Sequence, residues 1–231
     1  MQRLSRPLAS VLIAVAMAIV IVVVAVLPFL NPLWVGFEQG RAEATAWTGY
    51  TTEELRIATD AILADLVIGP PAFDVEVAGE AVLSERERGH MRDVRTVFIG
   101  AFILGVAAVV MLVAASRSRD RVATWKAVRT GAAVLAVGIL ALGGVALVAF
   151  DVLFEVMHRL LFAAGSYTFD PGSERLVQLF PFRFWQETAI VVGIVIVALS
   201  AIVAAIATWR LEDAATDDQT LPTAPLAEAR R

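Results

Sequence analysis

The sequence predicts an all-α membrane protein with four transmembrane helices and a small extracytoplasmic domain, a helix plus a short β-hairpin, between helices 1 and 2. Of its 231 residues, 58% are hydrophobic and 18% are charged, whereas soluble domains have about 45–50% and about 25%. Four stretches reach the roughly 20 apolar residues that a helix needs to cross a bilayer. The composition excludes a soluble domain, and the net charge of -4 provides no basic field for binding nucleic acid.

Hydropathy and charge divide the chain into eight segments. They are an N-terminus with the first transmembrane helix (1–30), an extracytoplasmic domain (31–93), the second helix (94–115), a cytoplasmic loop (116–129), the third helix (130–150), an extracytoplasmic loop with an aromatic interfacial segment (151–187), the fourth helix (188–209) and a disordered cytoplasmic tail (210–231). The first apolar stretch is longer than the core of a signal peptide, so we expect a retained helix.

Arginine and lysine predict the orientation, since they are enriched in cytoplasmic loops. They precede the first helix, crowd the connection at 116–129 and follow the fourth helix. We therefore expect a multi-pass protein of the plasma membrane that has both termini in the cytoplasm and the segments 31–93 and 151–187 outside.

The first outer segment carries helix and hairpin signals of its own. A capping box at 51–54 begins an amphipathic helix, and Gly69-Pro70 ends it. Apolar and acidic residues then alternate over 73–77, and Ala78-Gly79 provides a turn. This alternation around a turn predicts a small β-hairpin.

The remaining outer residues extend the membrane helices. A second capping box at 84–87 begins a helix that we expect to continue through the second span to about Ala115. The third helix is expected to extend outwards as far as His158. The stretch 176–185 that follows a turn-rich loop is strongly aromatic, which is typical of an interfacial belt or of the lipid-facing wall of a cleft.

The chain contains two histidines, His90 and His158, and the predicted topology places both at the outer membrane surface. Carboxylates lie at helical spacing from them: Glu87, Asp93, Asp151 and Glu155. A carboxylate that accepts one imidazole N–H fixes the tautomer and raises the basicity of the other nitrogen, which produces a general base. The alternative is that each histidine is an interfacial residue bonded to a neighbour.

Two functions of other classes stay open at this point. A metal-dependent membrane hydrolase could draw its ligands from His90, Asp93, His158 and Asp170, although no local motif such as HExxH supports it. A non-catalytic envelope sensor would bind a partner through the long outer loop.

Nucleophilic catalysis has little support in the sequence. The chain has no cysteine, which excludes a thiol nucleophile and thiolate metal sites. Ser84, Ser166 and Ser173 lie outside any G-x-S-x-G setting, and Ser84 is explained as a helix cap.

Two blocks of the sequence carry a family pattern. In 84–95 an acidic residue, Glu87, is followed three residues later by His90-Met91 and then by Asp93-Val94 and a basic residue. The second block has these members: Phe154, His158, Phe162, the run 167–171, Leu176, Phe180-Pro181 and Phe184. The sequence resembles the lipoprotein intramolecular transacylase (Lit) family of bacterial integral membrane proteins. It departs from that family at Tyr167, where we expect a Trp, and at 173–175, which replaces an expected Asp-Pro-rich stretch.

The resemblance implies a four-helix fold and an acyltransferase with His90 and His158 as its catalytic pair. The implied reaction moves the sn-2 acyl chain of a diacylglyceryl lipoprotein to the α-amino group of its N-terminal cysteine, and the product is a lyso-form lipoprotein. The substrate and the surrounding membrane lipids are the expected partners. The active site is expected at the outer leaflet of the bacterial plasma membrane, with no cofactor, no metal and no covalent enzyme intermediate.

Roles within this site follow as expectations. We expect His90 to be the base, with Glu87 or Asp93 behind it, and His158 to act as the acid or to bind the developing oxyanion. Further supporting residues are expected around the pair: Arg92 and Tyr167 to orient groups or bind the oxyanion, and Asp151, Glu155 and Asp170.

Overall fold

The computed structural model describes residues 6–117 and 120–219. The described elements are α1 (Arg6–Val26), α2 (Pro32–Arg41), α3 (Ala44–Thr48), α4 (Thr52–Val67), β1 (Glu76–Val77), β2 (Glu80–Ala81), α5 (Glu85–Ser116), α6 (Arg121–Leu161), α7 (Arg175–Leu179) and α8 (Phe182–Gln219), and a short 3-10 turn, Leu27–Phe29, follows α1. The fold is therefore mainly helical with one two-stranded hairpin.

Four helices, α1, α5, α6 and α8, are long and apolar enough to cross a membrane. This confirms the predicted four-helix membrane architecture. They pack as a bundle in which α1 contacts the other three and α6 runs along α8. A cluster of buried residues from three of these helices joins them: Ile21, Ala25, Ala132 and Ile196.

The bundle has two chemically different ends. His90 near the start of α5 and His158 near the end of α6 lie together at one end, which we name the histidine end. Arg121 at the start of α6 and Arg210 on α8 lie at the other, which we name the arginine end. Because sequential long helices alternate in direction, the two ends face opposite sides of the membrane.

Two of the long helices, α6 and α8, extend beyond the predicted spans at both ends. The helix α6 occupies Arg121–Leu161, with non-helical backbone angles at Ala149 that kink it, where the sequence predicts the span 130–150 and an outward extension to His158. The helix α8 continues to Gln219, so the disorder predicted for 210–231 is wrong for residues 210–219. Residues 220–231 lie outside the described part.

The domain between α1 and α5 has the predicted helix and hairpin. Both capping boxes are formed, at Thr51 for α4 and at Ser84 for α5. The hairpin pairs Val77 with Glu80, and its turn residues Ala78 and Gly79 adopt positive φ angles of 53° and 82°, as a two-residue hairpin turn requires. These elements enclose a core of alternate strand residues and one face of α4: Leu55, Ala58, Ile62, Leu66, Phe73, Val75 and Val77.

Sequence analysis does not predict three short helices, α2, α3 and α7. They are too short to show a hydrophobic periodicity, and long-range polar contacts hold them in place. Buried Gln39 of α2 donates through Nε2 to the carbonyl of Leu179 in α7 at 3.0 Å and accepts from Thr59 Oγ1 of α4 at 2.9 Å. One side chain thus connects three helices, and no local pattern encodes those pairings.

Glu38 on α2 is a buried carboxyl group with an unusual environment. It is 2% exposed, and its Oε2 has no hydrogen-bond partner within the described chain. Burial raises the pKa of Glu38 above its ordinary value, and a neighbouring carboxylate, Glu187, raises it further, while Arg41 and Arg183 oppose the change. The folded protein therefore holds this proton more tightly than the unfolded chain does.

We expect Glu38→Gln to change the pH dependence of stability. A carboxyl whose folded pKa is raised stabilises the fold below its unfolded pKa, and this contribution is lost as the pH rises through the folded value. The neutral amide of the glutamine keeps this stabilising contribution at every pH. The melting temperature of the variant should therefore match the wild type near pH 4 and exceed it progressively towards about pH 8. A difference that stays constant over this range would contradict the expectation.

Candidate active site at the histidine end

The two histidines meet at the histidine end although 68 positions separate them in the sequence. The ring centroids of His90 and His158 are 6.1 Å apart, and the ring planes are inclined by 19°. This separation is within the range of offset-stacked rings. A single group that lies beside the pair can therefore be reached by both rings.

Aromatic side chains surround the pair. Phe162 lies edge-on to His90 at 4.8 Å between centroids, and Phe169 at 5.4 Å. Phe154 and Tyr167 contact His158 at 4.2 and 5.2 Å. His90 is 7% exposed, and placing a charge in such apolar surroundings costs free energy. The environment therefore favours an uncharged imidazole at His90.

The hydrogen bond of His158 defines its tautomer. Its Nδ1 lies 2.8 Å from the carbonyl oxygen of Phe154, one turn earlier on α6. A carbonyl oxygen only accepts, so Nδ1–H donates and Nε2 keeps a free lone pair. This bond also fixes the plane of the ring. His158 is thus arranged to accept a proton at Nε2.

His90 differs from His158 in having no fixed partner. Its Nδ1 is buried without a hydrogen bond in the described part of the chain. Buried polar atoms are nearly always bonded, so an unpaired one calls for an explanation, and a ligand that completes the site is one.

Local helix geometry positions His158. Beyond the kink at Ala149, Phe150, Phe154 and His158 follow one another at four-residue spacing, which aligns them on one face of α6. Phe150 contacts Phe154 at 5.8 Å between centroids. The kink therefore turns a row of aromatic rings, ending in the histidine, towards one side of the bundle.

Glu87 has a different partner from the one predicted. It is 2% exposed, and its carboxylate accepts from the backbone amides of Ser84 and Leu176, both at 2.7 Å. It makes no hydrogen bond to His90, which corrects the expectation that it backs this ring. The carboxylate instead joins the start of α5 to the start of α7, one turn before His90.

The carboxylates predicted to support the histidines do not bond to them. Asp93 and Asp151 are exposed and form no hydrogen bond or ion pair among the described residues. Glu155 accepts from Arg159 Nε at 2.8 Å and from the Tyr167 hydroxyl at 3.3 Å. The hydrogen bond predicted behind His158 is thus supplied by a backbone carbonyl, and Glu155 positions Tyr167 beside the ring.

Two further predicted residues lie on the periphery. Arg92 donates to Glu85 at 2.7 Å on the outer surface of α5. Asp170 is exposed, and its carboxylate accepts from the Gly172 amide and the Ser173 hydroxyl, both at 3.0 Å. Their partners identify them as surface and turn residues.

Arg86 is a site-building residue that sequence analysis misses. Its guanidinium donates to the carbonyl of Thr168 at 2.8 Å, pairs with Glu174 and lies 4.7 Å from the ring centroid of Phe169. Since Phe169 contacts His90, Arg86 holds the loop after α6 against the two histidines. Only its place one residue before Glu87 in the first block hints at this role.

The predicted alternatives can be compared with the geometry. Among the side chains that the structure describes, in residues 6–117 and 120–216, no group of three or more His, Asp and Glu is placed to hold a metal ion. Ser84 caps α5. Ser166 donates to the carbonyl of Ala163 and Ser173 donates to Asp170, which are turn contacts rather than contacts with a base.

An apolar groove leads away from the site between α6 and α8. It has a volume of about 890 Å³. Phe154, which contacts His158, and Trp185 lie at the end next to the histidines, and Ile139 and Ala201 lie far along the bundle. The lining residues of α6 from Ile139 to Met157 cover about 27 Å at roughly 1.5 Å per residue. Its size and apolar lining suit a hydrocarbon chain.

The aromatic stretch at 176–185 divides between two environments. Phe180 and Phe184 are buried in the core of the outer domain, whereas Trp185 lines the groove. Trp185 therefore has the predicted role of a groove-wall residue, whereas Phe180 and Phe184 belong to the core of the outer domain.

Comparison with known proteins gives one family. The sequence model described as lipoprotein intramolecular transacylase Lit matches residues 9–185. The structure is similar to that of the membrane integral lipoprotein intramolecular transacylase Lit from Bacillus cereus, with a TM-score of 0.77 and 18% identity over 91% of this chain and 98% of that chain. A variant of that protein with a histidine replaced by arginine matches with a TM-score of 0.72 and 17% identity over 92% and 94% of the two chains. No curated protein matches.

Proposed function

The chain belongs to the lipoprotein intramolecular transacylase family, and we propose that His90 and His158 catalyse its reaction. The substrate is a lipoprotein with a diacylglyceryl group on its N-terminal cysteine. The sn-2 acyl chain moves from the glyceryl oxygen to the α-amino group of the same cysteine, which leaves a lyso-form lipoprotein. The observation that carries the proposal is the convergence of the two rings, whose centroids are 6.1 Å apart, because a single ester group beside the pair is within reach of nitrogens from both.

His158 acts as the base in this proposal, in place of His90. Its Nδ1–H is bonded to the Phe154 carbonyl, so Nε2 is free to take a proton from the attacking amine. The amine nitrogen forms a bond to the ester carbon, and the carbonyl becomes a tetrahedral oxyanion.

His90 stabilises that oxyanion. Its buried, neutral ring has one N–H to donate and no protein partner that competes for Nδ1. A fixed donor in a water-poor site stabilises developing charge more strongly than water does. The two histidines therefore have separate roles that their environments explain.

The step balances within one substrate molecule. When the tetrahedral intermediate collapses, the bond between carbon and glyceryl oxygen breaks, and the proton held on His158 passes to that oxygen. The amide replaces the ester, and the enzyme returns to its starting state without a covalent intermediate. Holding amine and ester together supplies a large share of the rate, since such positioning is worth about 7–11 kcal/mol.

The groove between α6 and α8 holds the acyl chain that is transferred. Trp185 and Phe154 place its upper end beside His158, where the ester must lie. Because the groove faces the lipid between two membrane helices, the substrate enters sideways from the bilayer. The arginine and lysine distribution supports the histidine end being outside the cell, where the head of a lipoprotein lies.

We expect Gly144→Leu to shorten the acyl chains that the enzyme accepts. Gly144 lines the middle of the groove, and a Cβ added there has open space around it, so a leucine side chain fills the groove without disturbing the helix. Transfer of a palmitoyl chain should slow by about tenfold, since each buried CH₂ is worth about 0.8 kcal/mol. Transfer of a hexanoyl chain should be unchanged.

Gly138→Leu is the matched control for this prediction. Gly138 also has open space around a built Cβ and lies on α6 outside the groove lining. Competition between palmitoyl and hexanoyl substrates measures the preference directly. An equal shift in both variants would contradict the groove as the acyl site.

The reaction itself is tested with the purified full chain and a synthetic diacylglyceryl lipopeptide. Intramolecular transfer leaves the total mass unchanged, removes the amine from reaction with an amine label and puts the acyl group on the N-terminal fragment ion. Hydrolysis would lower the mass by one acyl group, and transfer from a second lipid would raise it. Either of these, or an amine that stays free, would overturn the proposal.

A further inference from the structure

A second cavity lies at the arginine end of the bundle, away from the histidines. It has a volume of about 330 Å³ and is lined by side chains from all four long helices. Met17, Leu112 and Val128 form its apolar part, and Arg121 and Arg210 are its two cationic residues. Neither the transacylase chemistry nor the acyl groove uses this cavity.

The two arginines of the cavity carry positive charges that no ion pair neutralises among the described side chains. Among the side chains described in residues 6–117 and 121–216, no carboxylate forms an ion pair with either, although Glu212 and Asp213 are close in sequence. The Asp120 carboxylate caps α6 by accepting from the Ala123 amide. A single unpaired arginine at the surface indicates little about binding. Two arginines that line one cavity from different helices form a site for an anion.

Aromatic rings hold one of these arginines in place. The Arg210 guanidinium lies 4.9 Å from the ring centroid of Trp209 and 6.0 Å from that of Trp125. Cation–π contacts of this kind restrict the guanidinium without neutralising it. Trp125 also lines the cavity, so it presents an amphipathic ring of the type found at membrane interfaces.

We propose that this cavity binds the headgroup of an anionic phospholipid, with its phosphate between Arg121 and Arg210. The apolar residues below the arginines receive the glycerol backbone and the first carbons of the acyl chains. A soluble anion fits less well because it leaves this apolar half unfilled. Basic pockets between membrane helices are suited to such headgroups. The bound lipid would join α6 to α8 at the end where their charges otherwise repel each other.

Native mass spectrometry of the full chain in a non-ionic detergent tests the site. Phosphatidylglycerol and phosphatidylcholine with the same acyl chains are titrated separately. We expect one phosphatidylglycerol to be retained in preference to phosphatidylcholine. The double substitution Arg121→Gln with Arg210→Gln should weaken that retention by about tenfold or more, since each arginine contributes separately to attraction of anionic lipid. Equal retention of the two lipids by the wild type would overturn the proposal.

The matched control is Arg129→Gln, which removes the same charge from the same end of α6. Arg129 is exposed and does not line the cavity, so its loss should leave retention unchanged. Equal weakening in the control would attribute binding to the general positive charge and overturn the proposal. The single variants Arg121→Gln and Arg210→Gln serve if the double variant does not fold, with transacylase activity as the check of folding. Competition by soluble glycerol phosphate at the lipid's concentration would also overturn it.

Discussion

Replacing His158 by alanine is expected to lower the rate of acyl transfer by about 100- to 10,000-fold. The ring has one fixed nitrogen, bonded to the Phe154 carbonyl, and one free nitrogen for the proton of the attacking amine. The nearby Glu155 carboxylate already accepts from Arg159 and Tyr167. The measurement is the loss of the free α-amine in a synthetic diacylglyceryl lipopeptide. Val156→Ala, an exposed substitution two residues away, should retain wild-type activity.

Glutamine variants separate the roles of the two histidines. A glutamine amide donates a hydrogen bond but does not serve as a base. If His90 only donates to the oxyanion, His90→Gln should be faster than His90→Ala. If His158 removes the proton, His158→Gln should be as slow as His158→Ala. The reverse order would assign the base to His90, as the sequence analysis expected, and would contradict the roles proposed from the structure.

Local signals in the sequence were sufficient for the elements that obey local rules. Thr51 and Ser84 form complete capping boxes with residues three positions on, so α4 and α5 begin where predicted. The turn at Ala78-Gly79 and the apolar spans follow equally local patterns. Such features are readable because the partners lie within one turn of each other.

The arrangement of the site depends on contacts that no local pattern carries. Glu87 lies at helical reach from His90, which suggested a bond between them, yet its carboxylate binds the amide of Leu176, 89 positions away. His158, the proposed base, is oriented by its own helix backbone, and such a contact cannot be read from side-chain spacing. The family resemblance identified the two histidines, whereas the distance between them and the assignment of their partners required the fold.

The second large effect is expected in stability, at the point where α1 crosses α6. A Cβ added to Gly131 would lie 2.8 Å from both the Cα and the carbonyl carbon of Ala14, and closer still to the carbonyl oxygen. These are backbone atoms, so no side-chain rotation relieves the clash and the helices must separate. Ala132, next to Gly131, belongs to the buried cluster that joins α1, α6 and α8 and would lose contacts as the helices part.

Gly131→Ala should therefore destabilise the fold by about 1–3 kcal/mol, the usual cost of overpacking, seen as a lower melting temperature in detergent. Gly138→Ala, two turns along the same helix with open space around the new Cβ, should be neutral or stabilising because alanine favours the helix. Gly105→Ala is the intermediate case, since its Cβ would meet only the side chain of Val23 at 3.1 Å. The expected order of stability is Gly138→Ala, then Gly105→Ala, then Gly131→Ala. Equal stability of the first and last would contradict the close backbone approach of α1 and α6 at this crossing.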